Sequence, residues 1–310
     1  MTMFFTALFT VLTFLGYAVP GFIFTRTGMI KSEHIASFSK VLIYVCSPCL
    51  AGVSVMRAKF TSESVKDMLY FTLAVLIAFF VMMFGYFFIM KKKSDENVKY
   101  RVGNIACCFS NCAFFGVPVI ENLFPGREDL IIYTAIFSLI MNMVGWTVGS
   151  ALLTRDKKYI SLKNVILNPV LFGFAAGLIF SFSPFPLPAR IYDMISLLGK
   201  MTTPMCMLIL GMRLGTSKIR EVFTGAFQYI LVAVNQIAFP LLAYGISLCL
   251  PGGDYMKYTI CILCSCPVAS VVLNYSELVG AGQKDSAKVV LIGSLLSVIT
   301  MPCMTLILPI

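Results

Sequence analysis

A chain of 310 residues that is 59% hydrophobic and 12% charged lies far from the roughly 45–50% apolar content of soluble domains. The composition excludes a soluble enzyme and predicts an integral, multi-pass membrane protein. The net charge of +10 does not point to nucleic acid, because the basic residues sit in short connections with no basic groove interleaved with aromatics.

Apolar runs of crossing length follow one another along the chain at 3–25, 34–56, 67–90, 100–125, 130–153, 163–182, 190–212, 222–250, 255–279 and 286–308. A helix needs about 20 apolar residues to cross a hydrocarbon core, so ten transmembrane spans are predicted and nothing remains for a sizeable soluble domain. The first run lacks a basic leader and is too long for a signal-peptide core, which makes it a retained helix. With the N-terminus outside, seventeen Lys and Arg fall in inner connections and six in outer ones; Lys200 is set apart because it falls within the seventh run. The positive-inside rule then puts both termini on the extracytoplasmic side of the cell membrane. Most of the eleven cysteines lie in apolar runs, and the one histidine, His34, stands at a span entrance. Buried Cys behaves as a small hydrophobe, so neither a disulfide framework nor a metal site is expected.

One shift of 156 positions aligns the two halves without a gap. Gly21 to Phe24 falls on Gly177 to Phe180, Pro48 on Pro204, Met56-Arg57 on Met212-Arg213, Glu121 on Glu277, Gly126 on Gly282, Asp129 on Asp285 and Ser138 on Ser294. Residues 1–155 and 156–310 therefore read as two repeats of five helices. Five is odd, so the second copy enters from the opposite side, and inverted repeats are an architecture associated with secondary transporters.

The fourth run carries Ser110, Asn111, Gly116 and Pro118, and the ninth carries Cys266, Pro267, Ser270 and Asn274. At the repeat shift Asn111 overlies Pro267 and Pro118 overlies Asn274, so each half offers Pro and Asn in swapped order. Proline removes a backbone donor and clashes with the preceding turn, and in hydrocarbon the freed carbonyls cost several kcal/mol unless protein or a wet cavity receives them. A pair of kinked but continuous helices would satisfy the composition. Occurrence at corresponding places in both halves favours two discontinuous helices meeting near the midplane, with Asn and Ser serving the freed groups and half-helix termini gripping a solute.

Other polar residues within runs are candidates of a second kind. Lys200 is an expensive charge in a span and a candidate solute ligand. Glu121 and Glu277, past the expected breaks, are candidates for a coupling proton or ion, with solvation at a helix end as the plainer reading. Asn142 and Gln236 join them as coupling candidates, although they and Asn235 also suit interhelical hydrogen bonding. Gly145/Gly149, Gly173/Gly177 and Gly211/Gly215 have the small-xxx-small spacing of close helix packing.

The segments "SNCAFFGVPVIENLFPG", "NPVLFGFAAGLIF", "MTTPMCMLILGMRLG" and "CPVASVVLNYSELVG", in this order and spacing, resemble the auxin efflux carrier family, which includes plant PIN-formed auxin exporters and bacterial malate or malonate permeases. The likeness covers nearly the whole chain. It implies an all-helical membrane fold of ten spans in two inverted five-helix repeats, similar to bile-acid and sodium/proton transporters. Spans 1, 2, 6 and 7 would form a scaffold, spans 3–5 and 8–10 a moving unit, and spans 4 and 9 would cross at their breaks. Asn111, Pro118, Pro267 and Asn274 carry over as crossover residues. Only "TRDKKYISLKN" joins the halves, where plant exporters have a long cytoplasmic loop, which favours the compact bacterial type.

The leading expectation is a secondary transporter of a small organic anion, a carboxylate such as malate, malonate or an auxin-like acid, coupled to H+ or Na+ where coupling exists. Membrane lipid, and a second copy forming a homodimer, are the expected partners; no cofactor is. A sodium/proton exchanger is an alternative, set against the want of any Asp well inside a run, and a non-transporting membrane sensor is another. An enzyme is not expected, since no base accompanies the hydroxyls and thiols.

Overall fold

The computed structural model describes residues 2–309 except 59, 157, 159, 186, 280 and 281; for 128, 164, 219, 221, 274 and 277–279 it describes the backbone alone. Regular structure among the described residues is helical. In chain order the main helices are α1 (Thr2–Arg26), α2 (Ser32–Arg57), α3 (Ser62–Glu96), α4 (Val98–Ala106), α5 (Cys112–Leu123), α6 (Asp129–Thr154), α7 (Pro169–Phe182), α8 (Ala189–Thr216), α9 (Ala226–Leu248), α10 (Asp254–Ser265), α11 (Val271–Val279) and α12 (Gln283–Thr305). Seven of these (α1, α2, α3, α6, α8, α9 and α12) are long and apolar enough to cross a membrane, and α5 and α7 are shorter apolar helices.

Two predicted boundaries need correction. The run at 67–90 belongs to a longer helix that continues through Lys91–Lys93 to Glu96. Lys and Glu are good helix formers, so the helix extends past the apolar stretch into solvated surroundings. The run at 163–182 is split: Leu162–Ile166 ends before Asn168, and α7 starts afresh at Pro169. The Asn168 carboxamide accepts from the Val170 N–H at 2.8 Å, and Pro at the first helical position loses only a donor that has no partner there.

Prolines also account for local widening. Of the four wider π-helical turns among the described residues, Gly145–Gly149 has no proline after it, and the other three, Leu42–Cys46, Cys112–Gly116 and Val234–Ala238, each end two residues before a proline, Pro48, Pro118 or Pro240. In each case the residue four before the proline lies within the turn, where the ring clashes with its carbonyl and the missing N–H leaves that carbonyl free. For Pro118 this is Phe114, whose carbonyl accepts instead from the Thr203 hydroxyl on α8 at 2.7 Å. This service, expected of Asn and Ser, is performed by a threonine from another helix.

Two close helix pairs frame the molecule. A Cβ added at Gly21 or Gly211 would strike the Leu208 or Ala18 carbonyl, binding α1 to α8; one at Gly173 or Gly177 would strike the Pro48 or Gly52 carbonyl, binding α7 to α2. Small residues permit such approach where lipid gives helices no hydrophobic reason to associate. On the other side of the bundle, buried Phe79 of α3 packs its ring 5.7 Å from Phe109, 5.4 Å from Phe137 and 5.5 Å from Phe239. That aromatic cluster supports the irregular backbone beside Phe109.

Candidate solute site

The chain leaves helical form between α4 and α5, at Cys107–Asn111, and between α10 and α11, at Cys266–Ser270. The two interruptions lie side by side and pair through an antiparallel bridge between Ser110 and Val268. The Asn111 N–H donates to the Pro267 carbonyl at 2.7 Å, and the Ala269 N–H donates to the Phe109 carbonyl at 2.8 Å. The Ser110 hydroxyl donates to the Cys264 carbonyl at 2.8 Å, and the Asn235 carboxamide reaches the Phe109 carbonyl at 3.4 Å. Polar backbone deep in the molecule is thus satisfied by its counterpart from the other half, which is the condition for irregular structure at such depth.

Pro118 is not where the first interruption falls. It stands inside α5, in the turn that follows the π-helical stretch, and the carbonyl that its missing N–H leaves free is the one taken by Thr203. The break occurs seven residues earlier and carries Asn111, whereas the second contains Pro267 itself.

Two cavities flank the crossing. One, of about 620 Å3, is lined by Thr6 to Tyr17 of α1, Leu50 to Arg57 of α2, Pro118 and Glu121 of α5, and Ser196 to Pro204 of α8, including Lys200. The other, of about 710 Å3, is lined by Asn111 and Ser270 together with Ser39 to Ser47 of α2, Ser138, Asn142 and Trp146 of α6, Asn168, and Cys206 to Ser217 around the end of α8. Along both α2 and α8 the two linings occupy successive stretches, so the cavities open toward opposite ends of the same helices.

The predicted residues divide among these places. Asn111, Ser270 and Asn142 line the larger cavity. Pro118, Glu121 and Lys200 line the smaller one, so the structure separates Lys200 from Asn111. Ser110 and Cys266 are fully buried in the crossing, and Ser110 spends its hydroxyl on Cys264. Gly116 is packed so closely that a Cβ would stand 2.5 Å from the Leu263 side chain. Pro267 is buried. Gln236 is fully buried away from both linings, donating to the Gly293 carbonyl at 2.7 Å and accepting from Thr300 at 2.5 Å. Glu121 lies 3.6 Å from Arg57. The side chains of Asn274 and Glu277 lie outside the described residues.

Sequence reasoning passes over Thr203, Asn168, Trp146 and, above all, Arg57 and Arg213. Both arginines enter it as markers of sidedness and, in Met56-Arg57 and Met212-Arg213, as a matched pair of the repeat, with no role assigned to either. Arg57 lines the smaller cavity and Arg213 the larger, where it is the charged residue in the described lining.

A family model described as membrane transport protein matches residues 4–305. The chain belongs to this family, the auxin efflux carrier type. A relative from Methanothermobacter thermautotrophicus, described as an uncharacterized transporter, is 25% identical over 249 residues, which cover 77% of each chain. Family membership makes the protein a multi-pass membrane transporter rather than an enzyme, working in lipid on a small-molecule substrate.

Proposed function

We propose that this transporter is a secondary carrier of a small organic anion, a carboxylate such as malate, malonate or an auxin-like acid. In this reading residues 1–155 and 156–310 are inverted five-helix repeats, and the solute binds where the fourth and ninth spans cross. α1, α2, α7 and α8 are the scaffold, and the remaining spans move against it so that the site faces each side of the cell membrane in turn.

The observation that carries this reading is the pairing of the two interruptions. The shift of 156 positions makes Asn111 and Pro267 equivalent, and these two residues meet at 2.7 Å in an antiparallel arrangement. A two-fold relation between the halves calls for equivalent residues to meet on the axis. The scaffold offers a second support: Gly21 faces the Leu208 carbonyl and Gly177 faces the Gly52 carbonyl, and both members of the first contact map onto the second at the same shift. Half-helices α5 and α11 both begin at the crossing, and their N-terminal dipoles favour negative charge.

The test is flux in proteoliposomes against a panel of malate, malonate and indole-3-acetate, with Asn111→Ala as the variant. Saturable uptake of one of these, reduced about tenfold or more by loss of the polar contact while thermal stability holds, is the expected result. Absence of saturable movement for every member, or undiminished flux in Asn111→Ala, overturns the assignment.

A further inference from the structure

We propose that residues 91–101, at the end of α3 and the start of α4, form a binding surface for an anionic phospholipid. The surface begins where a lipid-facing stripe ends. Along α3 the exposed side chains Leu69, Leu73, Ile77, Val81, Phe84 and Phe88 recur every third or fourth position, while Phe71, Val75, Phe79 and Met83 are buried on the opposite face. From Leu69 to Met90 the helix rises about 32 Å at 1.5 Å per residue, the thickness of a hydrocarbon core. Lys91, Lys92 and Lys93 follow at once, all exposed, at the level of lipid phosphates. Phe88 is 70% and Ile89 78% exposed, and Lys92 and Lys93 stand one turn beyond them on the same faces. These two lysines therefore look out on lipid rather than on protein.

Lys99 and Arg101 bring the basic residues between 91 and 101 to five. Four to eight Lys and Arg immediately beyond a transmembrane helix are the pattern that attracts anionic headgroups. The neighbouring acids do not neutralise them: Asp95 is paired with Arg155 and Asp156 with Lys158, and exposed Glu96 pairs with no cation among the described residues. Arg101 Nε is buried without a hydrogen-bond partner among the described residues.

Aromatic rings hold the charges together. Lys93 Nζ and Lys99 Nζ each lie 5.8 Å from the centre of the Tyr100 ring, and Lys99 Nζ lies 4.9 Å from that of Phe227. Tyr100 is itself fixed, its ring 4.7 Å from Phe227 and its carbonyl accepting from the Tyr86 hydroxyl at 3.0 Å. Like charges gathered in this way repel, and an anion between them relieves the repulsion. A soluble anion would meet the charges but not the stripe. A phospholipid meets both, its phosphate on the basic residues and its chains along Phe84 and Phe88. Since α4 leads directly into the interruption at Cys107, the headgroup is held at the root of the half-helix that enters the crossing.

The full chain, purified in a neutral detergent, is titrated with phosphatidylglycerol and with phosphatidylcholine of the same acyl chains, and bound lipid is counted by native mass spectrometry. Phosphatidylglycerol is expected to bind about tenfold more tightly or better. Replacing Lys91, Lys92 and Lys93 together by Gln is expected to weaken it on the order of a hundredfold, at about fivefold for each charge, and to leave phosphatidylcholine unchanged. Replacing Lys31, Lys40 and Lys284 by Gln removes the same charge from three scattered, exposed positions and is expected to bind as the wild type does. Equal losses in the two triple variants, or undiminished binding in the first, overturn the proposal. Should the first variant not fold, the single exposed change Lys92→Gln decides: a loss of about fivefold upholds the surface and unchanged affinity overturns it. Glycerol 3-phosphate in excess is expected to leave the bound lipid in place; displacement by it would assign the surface to a soluble phosphate and overturn the lipid reading.

Discussion

The contact between α7 and α2 makes a quantitative prediction for Gly177→Ala. An added Cβ would stand 2.6 Å from the Gly52 carbonyl oxygen and 2.8 Å from Val55 Cβ, where ordinary contact begins at 3.4 Å. Neither neighbour is the end of a flexible side chain, so the helices must separate by 0.8 Å, the difference between 3.4 and 2.6 Å. Overpacking on this scale costs about 1–3 kcal/mol. Gly16 of α1 has open space within 4 Å, and Gly16→Ala there isolates the helix-propensity gain of about 0.5–1 kcal/mol. Gly177 lies inside a helix too, so the propensity gain cancels and the two variants should differ by the overpacking cost, about 1–3 kcal/mol. Thermal unfolding of the purified chain in one detergent, at on the order of 2–4 °C per kcal/mol, should place the Tm of Gly177→Ala clearly below that of Gly16→Ala. Gly21→Ala, against the Leu208 carbonyl, should fall with it. Coincident transitions for Gly177→Ala and Gly16→Ala would show that the close approach is not as described.

Three further outcomes are expected. Cys249 is exposed just past the end of α9; if both termini are extracytoplasmic, a membrane-impermeant maleimide should label it on intact cells and fail on Cys249→Ser, whereas labelling only after permeabilisation reverses the orientation. Gln236→Leu strips partners from the buried Gly293 carbonyl and Thr300 hydroxyl and should cost about 1–3 kcal/mol in thermal stability while leaving the ion dependence of flux per folded molecule intact; loss of that dependence would make Gln236 a coupling residue instead. Gly126 and Gly282 have φ of 80° and 77°, so alanine at either should cost about 1–2 kcal/mol; Gly282→Ala should be the worse, because its Cβ would also stand 2.7 Å from Val102 whereas Gly126 faces open space, and the reverse order would refute this.

The helical membrane character was legible because lipid forces backbone groups to be satisfied within each helix, so span length and apolar content alone carry the information. The glycine pairs were legible for a related reason: close packing in lipid selects small residues at a four-residue spacing, and Gly173/Gly177 and Gly211 stand at such contacts. What could not be read is which polar side chain faces which space. Ser110 has the chemistry of a ligand, but its hydroxyl is taken by a carbonyl 154 residues away. Lys200 lies on the same helix as Cys206, yet the two line different cavities, because successive turns of α8 pass from one opening to the other. Neither fact has a local signal; both depend on how α8 seats against α1 and on where the interruptions fall.

The swapped order of Pro and Asn has a cause at the crossing itself. Had both halves carried asparagine at the meeting point, each backbone could donate to the other's carbonyl. Proline at 267 has no N–H, so only the bond from Asn111 forms, and the Asn111 carbonyl is left to another donor. It accepts the Phe115 N–H at 3.0 Å, which opens α5 at the crossing. On the opposite strand the next donor is Ala269, bonded to Phe109, and the helix resumes with Val272 and Leu273 donating to the Ala269 and Ser270 carbonyls. The single missing donor thus makes the two half-helices begin differently, so that Asn111 and Ser270 are set unequally around one cavity.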